Sequence, residues 1–126
     1  MKRLLFLLIF ISEIAYSDSW IRVASIDGYV LFVDSLSIER TGDIVTFWSR
    51  MNYGIRDSSG NLSSKSKRKI NCMTREVKSL AWIIYDDFNN LGKSTRKFSN
   101  KSWQPLVLTP INEAMLRFVC KEITRN

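Results

Sequence analysis

The chain has 126 residues, 45% of them apolar, and 19 lysines and arginines against 12 acidic residues give it a formal net charge of +7. It has two cysteines and no histidine, which removes the Ser-His and Cys-His pairs of the commonest nucleophilic enzymes and leaves too few ligands for a structural zinc site, which takes about four Cys or His side chains. The length suits one domain and is too short for two.

The first residues, MKRLLFLLIFISEIAYSDS, place cations at Lys2 and Arg3, an unbroken apolar run from Leu4 to Ile11, and small residues at Ala15 and Ser17. This layout predicts a secretory signal peptide over residues 1–17, cleaved after Ser17, with a single domain over residues 18–126. The apolar run is too short to anchor the chain across a membrane, which takes about 20 residues, so no integral span is expected after cleavage. Without Lys2, Arg3 and Glu13 the remaining chain has 17 cations against 11 acids.

Export changes what the two cysteines can do. Thiols that stay reduced in a cytosol are oxidised outside it, and an even count favours pairing. Cys72 is therefore expected to be bonded to Cys120. Closing a loop of that length stabilises the fold by about 4 kcal/mol in the chain-entropy model, a large share for a domain whose whole stability is about 5 to 15 kcal/mol.

Strand signals dominate the chain until near its end. WIRVAS (20–25) and YVLFVD (29–34) flank Ile26, Asp27 and Gly28 at hairpin spacing. SIERTGDIVTFWSRMNY (37–53) repeats the device around Thr41, Gly42 and Asp43. In its long run Val45, Phe47, Ser49, Met51 and Tyr53 share one face, with Ile44, Thr46, Trp48, Arg50 and Asn52 on the other. GIRDSSGNLSSKSKRK (54–69) is rich in Gly, Ser, Asn and Lys and reads as a long mobile loop. INCMT (70–74) and EVKSLAWIIYDD (76–87) read as another strand pair, and FNNLGKSTRKFSNKS (88–102) as a second basic connection with a short edge strand near Lys97 and Phe98. Beyond it, Thr109 and Pro110 have the chemistry of a helix N-cap and first turn. Glu113 near the start, Lys121 and Arg125 near the close, and Ile111, Met115, Phe118 and Val119 at helical spacing complete an amphipathic C-terminal helix. The expected fold is α+β: one antiparallel sheet of five or six strands with one C-terminal helix tethered by the disulfide.

Catalytic groups are hard to assemble from what remains. Asp86 and Asp87 are neighbours on a strand and point to opposite faces, so they read as a strand-end turn. The DSSGN stretch (57–61) lacks the spacing and the following helix of a phosphate loop. No enzyme activity and no cofactor are expected.

The basic surplus gathers at Lys65, Lys67, Arg68 and Lys69, and again at Lys93, Arg96, Lys97 and Lys101. Such runs read either as two solvated loops or as a patch for acidic partners: sulfated glycans, anionic headgroups or acidic protein segments. Export argues against nucleic acid. Most of the aromatic residues read as core. Trp48 is the exception, since it lies beside Arg50 on the more polar strand face and could anchor a partner.

Taken in order, YVLFVDSLSIERTGDIVTFWSRMNY, the strand with Asn71 and Cys72, and SWQPLVLTPINEAMLRFVC resemble the surface-adhesin protein E family of Gram-negative bacteria. The resemblance is carried by Asp34, Ser37, Ile38, Gly42, Trp48, Cys72, Trp103, Pro105, Val119 and Cys120, and spans nearly all of residues 18–126. Asn71 stands where the family pattern has Asp. The resemblance implies a sheet with a disulfide-tethered C-terminal helix, and admits a homodimer. For function it implies an exported, non-enzymatic binding module in the periplasm or on the outer surface. Its partners would be host matrix or serum proteins or acidic glycans; the alternative is a periplasmic accessory protein that binds another envelope component.

Overall fold

The computed structural model describes residues 19–97 and 102–124. The expected signal peptide, together with Phe98, Lys101 and Arg125, lies outside those residues. The first hairpin forms where its turn chemistry requires it: β1 (Trp20–Ile26) and β2 (Tyr29–Asp34) pair antiparallel with Ile26 opposite Tyr29. Asp27 and Gly28 between them both have positive φ, 53° and 85°, the tight turn that matches the twist of paired strands. Gly28 must also stay small because a Cβ there would lie 3.1 Å from the Cα of Gly54.

A single 3-10 turn at Ser35–Ser37 carries the chain from β2 into β3 (Glu39–Thr41), and the Asp34 side chain accepts the Leu36 N–H to start it. Both strands then lie along one side of β4 (Ile44–Asn52), with Val30–Val33 opposite its second half and Glu39–Thr41 opposite its first.

The largest departure from expectation is the segment read as a long mobile loop over residues 54–69. Its first part is a compact turn: the Asp57 carboxylate accepts the N–H groups of Ser59 and Asn61, and Tyr53 N–H donates to Leu62 O. The rest is β5 (Ser63–Asn71), a central strand. Every residue of β5 has a register partner on β4 and another on β6 (Glu76–Tyr85). Backbone pairing on both edges, rather than apolar side chains, holds this strand, and serines are small enough to be buried at Ser63, Ser64 and Ser66. The strand expected at 70–74 is correspondingly shorter. Only Ile70 and Asn71 belong to β5, and the Asn71 side chain accepts the N–H groups of Met73 and Thr74 to close the turn into β6.

The sheet runs β1-β2-β4-β5-β6-β7, with β7 at Ser94–Lys97, while β3 pairs β4 and β8 (Gln104–Pro105) pairs the start of β6. That makes eight strands among the described residues, against the five or six expected. Leu80 is an extra residue in β6, because Lys67 faces Ala81 while Arg68 faces Ser79.

Helix α1 (Pro110–Thr124) packs on one face of this sheet, mainly against β1 and β2. Thr109 caps it, its hydroxyl accepting the Asn112 N–H at 3.2 Å. Met115 and Val119 are fully buried, with Leu116 almost so, against Leu31, Val33, Val45, Phe47 and Ile70. Cys72, just past β5, is bonded to Cys120 on the helix, with 5.9 Å between their Cα atoms. Replacing both cysteines by serine is expected to cost about 4 kcal/mol of stability by urea unfolding. A loss well under about 1 kcal/mol would mean that apolar packing alone holds the helix.

Candidate functional site

Directly paired residues of antiparallel strands share a face, so the register sorts every side chain of the sheet. On the face opposite α1, one row crosses six strands: Arg22, Phe32, Arg50, Lys65, Ile83 and Arg96. At about 4.8 Å between strands such a row is about 24 Å wide. Trp48, Lys67 and Ala81 form the next row, and Glu39, Thr46, Lys69 and Lys78 the one beyond.

Aromatic rings separate the central cations. The Arg50 guanidinium lies 4.8 Å from the Trp20 ring centre and 4.9 Å from that of Phe32. Lys65 Nζ is 5.2 Å from Trp48 and 5.9 Å from Trp20. Like charges set opposite each other repel, and ring faces between them supply compensating attraction. Arg50 Nε is buried without a hydrogen-bond partner, so stacking, not hydrogen bonding, holds this end of the guanidinium. At the sheet's far edge Lys78 Nζ stands 5.0 Å from Trp103.

The expected basic residues fall into different places. Lys65, Lys67 and Lys69 project from a strand, not a loop, and share the outer face with Trp48. Arg96 ends the Lys65 row on β7, and Lys93 lies just before that strand, its N–H held by the Asp86 carboxylate. Lys97 is the last residue of β7, at the register position opposite Trp82. Arg68 is separated from its neighbours: it pairs with Phe47 and Ser79 on the helix side of the sheet. Sequence reasoning missed Trp20 and Phe32 as parts of the outer face, because cross-strand register brings them there.

The helix covers only part of the inner face. Beyond it lies an open cavity of about 530 Å³ whose lining includes Tyr53, Ser64, Ser66, Arg68, Ser79 and Trp82. Arg68 is half-buried between sheet and helix, and burial holds its pKa below the ordinary value. Its Nη1 donates to the Met115 sulfur at 3.5 Å, a weak acceptor. Burial pushes the Tyr53 phenol above its ordinary value of 10.0, against an opposing hydrogen bond with Ser64.

The acidic pair at the end of β6 is a turn device: Asp86 holds the Lys93 N–H and Asp87 caps the N–H of Phe88. Among the described residues no three His, Cys, Asp or Glu side chains gather to hold a metal ion. No helix among them is long and apolar enough to cross a membrane.

A family model described as surface-adhesin protein E matches residues 20–121. Among solved structures, crystal form II of Haemophilus influenzae protein E is 19% identical, covering 86% of this chain and 91% of that one, with a TM-score of 0.60. A second H. influenzae protein E structure is 17% identical over 93% and 95%, also at 0.60. The selenomethionine form is 22% identical over 82% and 88%, at 0.51. No curated protein matches the chain. At these identities the structural likeness concerns the fold.

The cavity tyrosine has a measurable consequence. Folded Tyr53 keeps its proton to higher pH than the unfolded chain does, so its contribution to stability is complete below pH 10 and is lost as pH rises through the raised value. Tyr53→Phe, with no proton to lose, is expected to give a shallower fall of the urea midpoint above pH 10. Equal slopes in the two proteins would contradict the assignment.

Proposed function

Because the chain belongs to the surface-adhesin protein E family, we propose that it is a non-enzymatic adhesin-like module, exported with loss of residues 1–17 and displayed on the outer surface of a Gram-negative cell. Its outer sheet face engages acidic host macromolecules, with sulfated glycans as the partner class. The observation that carries this reading is the row holding Arg22, Arg50, Lys65 and Arg96 across six strands, with Lys67, Lys69 and Lys78 beside it. A linear polyanion laid along that row meets four cations, with Phe32 and Ile83 between them. The rings of Trp20, Phe32 and Trp48 hold the central cations in place, which lowers the entropy cost of ordering long side chains on binding.

Rigid strand side chains suit this role better than two mobile loops would. Their attraction is screened beyond about 8 Å at physiological ionic strength, so binding must be close and salt-sensitive. Wild-type protein is expected to be retained on immobilised heparin and released by salt. Changing Lys65, Lys67 and Lys69 together to Ser is expected to weaken binding roughly tenfold, from three partly exposed contacts at about 0.5 kcal/mol each. A control carrying Arg75→Ser, Arg117→Ser and Lys121→Ser removes the same charge from the other side of the molecule. Equal losses in both variants, or none in the first, would overturn the proposed face. Retention on acidic matrix protein but not on heparin would assign the face to protein segments instead.

Display is tested separately by protease treatment of intact cells. Degradation of this protein while periplasmic markers survive is the expected result. Full protection would favour the alternative of a periplasmic protein that contacts another envelope component.

A further inference from the structure

The inner-face cavity has a composition that the outer face does not explain. Strand alternation turns Arg68 away from Lys67 and Lys69 and sets it among Phe47, Ser79 and the helix residue Met115. A position flanked by Phe47 and near the fully buried Ile70 would ordinarily take an apolar side chain. It carries instead a guanidinium with five donors, and among the described residues no carboxylate faces it; the hydrogen bond it makes goes to a thioether. Even a half-buried cation is costly to keep without a counter-charge. The pocket supplies the space that a counter-charge would need.

That space follows from side-chain size. Ser64, Ser66 and Ser79 stand where larger residues would fill the sheet face, and the helix ends its cover before reaching them, leaving about 530 Å³. This lies within the roughly 300 to 1,000 Å³ typical of small-molecule sites. Arg68, the serine hydroxyls and the Tyr53 phenol supply donors, while Trp82, 39% exposed and directly opposite Ser66, offers a flat apolar surface beside them.

We propose that this cavity binds a small organic anion, its carboxylate, sulfate or phosphate group gripped by Arg68 and its apolar body laid against Trp82. A planar fork of donors fits such oxyanions in two-pronged fashion, and the serine and tyrosine hydroxyls can serve the remaining oxygens. The guanidinium stands on the inner sheet face, which separates this site from the cationic face behind it.

The test uses the purified, disulfide-bonded protein with benzoate, phenyl phosphate and phenyl sulfate as probes and benzyl alcohol as a neutral counterpart, followed by calorimetric titration and tryptophan emission. At least one anion is expected to saturate at millimolar concentration or below, to change the emission, and to bind at least tenfold more tightly than benzyl alcohol. The best anion identifies the headgroup chemistry. Arg68→Met is expected to lose at least tenfold in affinity, while Arg117→Met, which removes the same charge from the exposed side of α1, keeps it. Should Arg68→Met fail to fold, Arg68→Lys retains the charge without the fork and is expected to weaken binding as well. No saturation by any anion, equal binding of benzyl alcohol, or unchanged affinity in the Arg68 variant that folds would each overturn the proposal.

Discussion

The whole arrangement depends on β5 being paired along both of its edges. A segment as polar as SSKSKRK gains little from burying apolar area, and alone it would stay solvated. Set between β4 and β6, all its backbone groups enter ladders, and the fixed alternation of a strand then decides where each side chain goes. Lys65, Lys67 and Lys69 cannot follow Arg68 to the other face, and Arg68 cannot join them. One run of four cations thereby serves two surfaces of different character. The outer one is a row of cations interleaved with rings, and the inner one is a cavity lined in part with hydroxyls.

The disulfide determines how far the inner face is covered. It ties Cys120 to the residue that follows β5, so α1 lies over the end of the sheet where Val45 and Ile70 sit and over β1 and β2. The first turn of α1 borders the cavity through Asn112 and leaves Ser64 and Ser66 lining it. A small domain that buries a thin core in this way retains a cavity beside it, and the covalent tie offsets the apolar contact that the cavity forgoes.

How much of this was legible in the sequence follows from how local each signal is. Asp27 and Gly28 between two strand-forming runs specify a tight hairpin without help from elsewhere, and β2 has the bounds its residues suggest. Thr109 and Pro110 likewise mark the start of α1, and the even cysteine count in a chain with a leader-like beginning pointed to the bond that the structure contains. β5 was not legible as a strand, because its stability comes from partners on either side, and its composition is that of a linker. A trace was present all the same: from Ser64 to Lys67 serine and lysine alternate, the period of a strand with one solvated and one small-residue face. Trp48 beside Arg50 was readable as a surface pair from β4 alone. Trp20 and Phe32, which complete the stack, belong to other strands and reach Arg50 through register, which no single segment encodes. The splitting of Arg68 from its lysine neighbours was hidden for the same reason, since a loop has no faces.

The central claim is that residues 63–71 form an interior strand, and amide hydrogen exchange tests it most directly. Amides from Ser64 to Ile70 are expected to exchange only through global or near-global unfolding, with protection matching that of β4. Exchange of those amides at the rate of an exposed peptide, while β4 stays protected, would contradict the account: the lysines would belong to a loop, and neither the cationic row nor the Arg68 cavity would exist.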